Sequence, residues 1–160
     1  MFQSETYTVC DAQFFDRGTS LNYRAWTGTD FTYDKINRGE EYTTLIATDD
    51  WDSQYVSFQG NVCVELDVNL TYSSNPIILR FYKGEWGNVG GIFTAQYLGL
   101  INEEWNHIKF IYDGTTITAI VNGETKTPLT PTDVVNTFRI SLNNTNSPSL
   151  KYKNFVIYPI

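Results

Sequence analysis

Apolar and polar residues alternate along much of the chain, most cleanly from Asn61 to Leu70. There Val62, Val64, Leu66, Val68 and Leu70 fall on one side, and Cys63, Glu65, Asp67 and Asn69 on the other. A strand sends successive side chains to opposite faces, so this period of two predicts a half-buried strand. Ser73-Ser74-Asn75-Pro76 follows as a turn, then Ile77 to Tyr82 as a strand ended by Lys83-Gly84. Gly91 to Leu98 reads as the next strand, and His107 to Tyr112 as another with Ile108, Phe110 and Tyr112 inward. Asp113-Gly114 and Asn122-Gly123 are hairpin-turn dipeptides on either side of a strand at Thr116–Val121. Phe138, Ile140 and Leu142 mark a further strand, and Phe155 and Ile157 the last. Upstream, strands are expected at Leu21–Trp26, Phe31–Tyr33, Glu41–Ala47 and Gln54–Phe58. No sustained 3.6-residue stripe occurs; Thr132 to Val135 could form one helical turn at most. Many short strands separated by turns predict an all-β domain, a sandwich or barrel, spanning residues 1–160 as one unit.

Composition agrees and narrows the partners. Aromatics make up 16% of the 160 residues and charged residues only 18%, a bias that suits pleated sheets. A net charge of −7 gives no basic footprint for phosphates, so no nucleic acid is expected. The same charge disfavours anionic membrane surfaces, and no apolar run approaches the ~20 residues of a membrane helix, so no membrane insertion is expected. Met1 to Thr6 has neither the basic nor the apolar region of a signal peptide. Cys10 and Cys63 are too far apart for a CxxC motif, leaving two buried thiols or one disulfide as open alternatives. One histidine, His107, gives little basis for a His/Cys metal site.

The run Glu104-Trp105-Asn106-His107-Ile108-Lys109-Phe110-Ile111-Tyr112-Asp113-Gly114, continuing through Ile120-Val121-Asn122-Gly123, resembles the hairpin of laminin-G-like, concanavalin A-like jelly rolls. Lys153-Asn154-Phe155-Val156-Ile157-Tyr158 resembles the closing strand of that superfamily. The resemblance covers roughly the last third of the chain. It implies a two-sheet antiparallel jelly-roll β-sandwich, with Trp105 as a structural core residue and, in many members, a sugar site on a concave face or its rim. Fold alone does not fix function, since the superfamily holds lectins, glucanases, carbohydrate-binding modules and purely structural domains.

Glu65-Leu66-Asp67-Val68-Asn69 resembles the Glu-x-Asp-x-Glu strand of the superfamily's β-glucanases. Retaining hydrolysis needs two carboxyl groups flanking the bond, and Asn69 cannot supply the acid. No catalytic residue is therefore assigned. His107 lacks a nucleophile elbow and reads as a solvent-side strand residue. Gly87-Asn88-Val89-Gly90-Gly91 precedes no helix, so it reads as a connecting loop rather than a phosphate cradle. Asp49, Asp50 and Asp52 form a compact acidic loop that could supply oxygen ligands to a structural calcium, against the plainer reading of a solvated turn. Asn69-Leu70-Thr71 and Asn143-Asn144-Thr145 match the glycosylation sequon, which matters only in a secreted chain.

The binding lead lies in the aromatics. Trp86, in Lys83-Gly84-Glu85-Trp86-Gly87-Asn88, is a large ring in a glycine-flanked loop, suited either to stack on a sugar or to plug the end of the sandwich. Trp26 and Trp51 are further stacking candidates. Arg80, Tyr82, Glu65, Asp67 and Gln96 occupy the non-core sides of three successive strands and are expected to share a groove with Trp86. The reading is a non-catalytic, lectin-like carbohydrate-binding module whose partner is a polysaccharide or glycan. Its expected setting is extracellular or on a virion, for instance a phage tail or spike, with a homo-oligomer or larger multivalent assembly left open. The alternatives are a structural assembly domain and an inactive glucanase relative.

Overall fold

The computed structural model describes residues 8–9, 36–38, 42–46, 52–84, 87–142 and 149–160. They form two antiparallel sheets packed face to face, the arrangement the alternation predicted. In chain order the strands are β1 (Thr8–Val9), β2 (Ile36–Arg38), β3 (Thr43–Ile46), β4 (Asp52–Ser57), β5 (Val62–Thr71) and β6 (Ile77–Lys83). Then come β7 (Gly87–Thr94), a single helical turn α1 (Ala95–Leu98), β8 (Trp105–Tyr112), β9 (Ile117–Val121), β10 (Glu124–Thr125), β11 (Thr137–Leu142) and β12 (Ser149–Pro159). Sheet A runs β10-β9-β8-β5-β12-β3-β2, with β1 also paired to β12; sheet B runs β4-β11-β6-β7. The expected strands at Leu21–Trp26 and Phe31–Tyr33 lie outside the described residues.

The core is the interface between the sheets. From sheet A, Val62, Val64, Leu66, Val68 and Leu70 are buried on β5, and Ile108, Phe110 and Tyr112 on β8. Sheet B answers with Leu79, Phe81, Phe93, Phe138 and Ile140. Phe81 sits at the centre, its ring 5.2 Å from Phe110 across the interface and 5.0 Å from Phe138 beside it, both edge-on. Edge-to-face contacts complement the ring quadrupoles and add to the free energy of burial.

Two turns follow their sequence signals. At Asn122-Gly123 both residues have positive φ (51° and 84°), as the two-residue hairpin linking Val121 to Glu124 requires. At Asp113-Gly114 the Asp113 carboxylate accepts the backbone N–H groups of Thr115 and Thr116, which holds it below the usual carboxylate range.

One expected strand is corrected. Gly91 to Leu98 is strand only as far as Thr94, and the remainder is α1. The Thr94 hydroxyl oxygen accepts the Tyr97 N–H at 3.1 Å, capping the turn, and Gly99 ends it in the left-handed region.

Candidate functional site

The face of sheet A turned away from the core gathers polar and aromatic side chains from three adjacent strands. Register places Asn69 on β5 between Trp105 on β8 and Lys151 on β12. One step along, Asp67 lies between His107 and Lys153; the next row sets Glu65 between Lys109 and Val156. All these β5 residues are the odd-numbered partners of the buried even-numbered row, so they point outward.

The carboxylates are held by neighbours rather than left to solvent. His107 Nδ1 is 2.8 Å from Asp67 Oδ1, and its Nε2 is 3.3 Å from Glu65 Oε1. An imidazolium can donate to both at once, whereas a neutral ring donates to one. Asn154 Nδ2 donates to Asp67 Oδ2 at 2.8 Å, and the Tyr158 hydroxyl donates to Glu65 Oε2 at 2.5 Å. Burial, with further contributions from Cys63 and Glu65, drives the Tyr158 phenol far above its ordinary range, so it stays a donor. Glu65 and Asp67 side chains keep 28% and 18% exposure, enough to meet a ligand from outside.

A β-bulge in β12 makes this arrangement possible. Register with β5 shifts between Lys153 and Val156, where β12 carries one extra residue and Asn154 adopts φ 55°. Leu150 and Tyr152 point inward before the shift, Phe155 and Ile157 after it. The extra residue therefore lets Asn154 reach Asp67 while Lys153 turns to Trp105, the re-aiming that bulges provide. Lys153 Nζ lies 4.2 Å over the Trp105 ring, and Lys151 Nζ 5.1 Å over Tyr42. The Tyr42 and Trp105 rings are 5.7 Å apart.

Trp105 thus departs from the core role implied by the resemblance: it is 36% exposed on the outer face. The strand's own alternation explains this, since Ile108, Phe110 and Tyr112 are inward and Trp105 has the opposite parity.

The expected common groove is also corrected. Glu65 and Asp67 belong to β5 in sheet A, whereas Arg80 and Tyr82 are on β6 in sheet B. The two pairs lie on outward faces of opposite sheets with the core between them. Gln96 is exposed on α1, its backbone N–H bonded to Asn75. Trp86 lies outside the described residues, as do Trp26 and Trp51. Arg80 and Tyr82 are nearly buried (8% and 6%), with the Arg80 guanidinium donating to the Tyr82 hydroxyl at 2.6 Å. Arg139, the cross-strand partner of Arg80, lies over the Tyr82 ring at 5.4 Å.

Asp49 and Asp50 lie outside the described residues, and of Asp52 only its strand position is described. The calcium expectation therefore stays at the level of sequence. Cys63 is buried and Cys10 lies outside the described residues. A separate cavity of about 310 Å³ opens at one end of the sandwich, floored by Phe58, Tyr112, Val134 and Val135 and edged by Gln59 and Asn61. Among the described residues, none of the expected site residues lines it.

The sequence reading did not single out Lys151, Lys153, Asn154 or Tyr158 as site residues. Their signal was the alternation Lys151, Lys153 interrupted by Asn154, readable as outward positions only once β12 is placed beside β5.

No family model matches the sequence, and no curated protein does. Solved structures give the fold. A protein from Parabacteroides distasonis ATCC 8503 named as a putative glycosyl hydrolase superposes with a TM-score of 0.59 at 12% identity, over 87% of this chain and all of that one. The alginate lyase AlgAT5 of polysaccharide lyase family 7 gives 0.52 at 8% identity, over 79% and 82% of the two chains. Trypanosoma rangeli sialidase gives 0.55 at 10% identity, over 78% of this chain and 26% of its own. At these identities the likeness shows the fold alone, a two-sheet antiparallel β-sandwich of the kind that the hairpin resemblance implied.

Proposed function

We propose that this chain is a non-catalytic, lectin-like carbohydrate-binding module, and that the outer face of β5, β8 and β12 is its ligand face. The observation that carries the reading is the pairing there of an exposed aromatic, Trp105, with a fixed array of hydrogen-bonding groups, Glu65, Asp67, His107 and Asn154. Sugars present an apolar ring face and a rim of hydroxyls, and a ring beside pre-placed acceptors and donors meets both. Because these groups stand on strands and hold one another, little rotamer freedom is lost on binding. The similar folds include, by name, a putative glycosyl hydrolase, an alginate lyase and about a quarter of a sialidase chain, which supports a saccharide ligand.

Hydrolysis is not part of the proposal. Glu65 and Asp67 contact the same imidazole, and the third outward position of β5 is Asn69, which cannot donate and recover a proton. A shallow face of this kind binds weakly, in roughly the micromolar to millimolar range. We extend the reading to a multivalent setting, such as a phage tail or spike, where repeated copies raise avidity.

Glycan-array binding with Trp105→Ala and Trp86→Ala tests the assignment. Loss of binding in the Trp105 variant alone supports the sheet A face. Loss only in the Trp86 variant moves the site away from it. An array with no ligand, together with an oligomer that buries Trp105 between copies, favours the structural assembly domain. Reducing-sugar release from β-glucans that vanishes in Glu65→Gln would make the protein an enzyme.

A further inference from the structure

We infer that the saccharide is acidic, with Lys151 and Lys153 receiving its anionic group beside the Trp105 ring. This deepens the reading above and rests on it.

The chain carries 18 acidic against 11 basic residues, so an arbitrary patch of its surface should be acidic. On the outer face of β5, β8 and β12 the balance reverses: Lys109, Lys151 and Lys153 stand there with His107, against Glu65 and Asp67. The two carboxylates are already engaged, Glu65 by Tyr158 and His107, Asp67 by His107 and Asn154. The lysines are not neutralised in this way. Lys153 stands opposite Asp67 in register, yet its ammonium lies over the Trp105 ring. Lys151 likewise lies over Tyr42. Elsewhere lysines do find carboxylates, Lys83 with Asp133 at 2.6 Å and Lys126 with Glu124 at 2.9 Å. Among the described residues, neither Lys151 nor Lys153 has an ion-pair partner.

A cation over a ring is oriented by the ring's quadrupole but keeps its charge. The face therefore combines two carboxylates whose charge is shared with neighbouring donors, two oriented positive charges and two aromatic rings. Lys151 and Lys153 are two residues apart on one strand, roughly 6–7 Å, close enough to bracket a single anionic group. A sugar bearing a carboxylate or a sulfate supplies that group together with an apolar ring face for Trp105. Lysine, a flexible point charge, accepts either anion.

The test measures binding of matched neutral, uronate and sulfated oligosaccharides at about 50 and about 500 mM salt. We expect the acidic sets to bind about tenfold more tightly than the neutral set at low salt, and this advantage to shrink at high salt. Lys151→Gln and Lys153→Gln should each cut the acidic affinity about fivefold and the neutral affinity by less than about twofold, and Lys153→Arg should retain the acidic preference. Which acidic set leads identifies the anion. Equal affinity for neutral and acidic sets, or an acidic preference untouched by the lysine variants, overturns this inference and leaves glycan binding standing. Failure of all three sets overturns glycan binding itself, and this inference with it.

Discussion

Replacing Asn106 by Ala removes a polar side chain that is wholly buried at the start of β8, in the inward-facing row beside Ile108. Its Oδ1 accepts from the Ile101 N–H at 2.9 Å and the Asn122 side-chain amide at 3.0 Å. Its Nδ2 donates to the carbonyls of Ile101 at 3.0 Å and Glu104 at 2.9 Å. Four bonds at a net ~1 kcal/mol each set an upper value near 4 kcal/mol. Ile101 and Glu104 are exposed, so water can replace part of what their backbone loses, and the expected cost is about 2–4 kcal/mol. For a chain of this size that corresponds to a fall in Tm of roughly 4–16 °C. Urea unfolding followed by tryptophan fluorescence measures it, with an unchanged slope showing that stability and not the unfolded state has moved. Asn122→Gly is the companion variant. It keeps the left-handed turn but loses the bonds to Asn106 and to the His107 N–H, so the Asn106 and Asn122 effects should be less than additive. A cost below ~1 kcal/mol for Asn106→Ala would refute the reasoning, because it would mean that solvent fully substitutes for this hub.

Gly91→Ala places a Cβ only 2.6 Å from the carbonyl oxygen of Phe81 on the adjacent strand, which backbone cannot avoid without shifting. The expected loss is about 1–3 kcal/mol in urea unfolding, with an unaltered midpoint as the contrary result. Tyr158 adds a pH dependence. Its phenol is held protonated above the ordinary value of 10, so its contribution is complete below pH 10 and declines as pH rises from there toward the folded-state value. The urea midpoint of the native protein should therefore exceed that of Tyr158→Phe at pH ~8, by a margin that narrows at pH ~11. A margin that widens would contradict the assignment.

The parts of this architecture legible in the sequence are those fixed by short-range chemistry. Val62 to Leu70 announces β5 because each side chain's face depends only on parity, and Asn122-Gly123 announces its hairpin because few residues accept two successive positive φ values. α1 was hidden because one turn shows no period; its markers, Thr94 and Gly99, flank residues that also fit a strand. Partition between the sheets was less accessible. β5 bonds to β8 and β12 and not to its sequence neighbour β6, so residues close in sequence, Asp67 and Arg80, end on opposite sides of the core. Arg80 and Tyr82 have the parity of exposed residues yet are nearly buried, since burial depends on what covers a face. The site itself hung on the bulge at Asn154, where parity reverses within one strand. A fixed period of two assigns either Lys153 or Asn154 outward, never both.

β12 lies inside sheet A although it follows every other described strand in the chain. Val62 pairs with Pro159 and Thr71 with Ser149, while β1 and β3 bond to the other edge of β12. During synthesis, β5, β8 and β9 can assemble as one block, but β3 waits on the far side of an unfilled slot. Until the ribosome releases Ser149 to Pro159, the long β5 strand keeps one edge unpaired, a template for another nascent chain. Docking of β12 closes two open edges together, and the carboxylates of β5 acquire Asn154 and Tyr158 at that same step. The outer face of β5, β8 and β12 takes its described form only when β12 is in place.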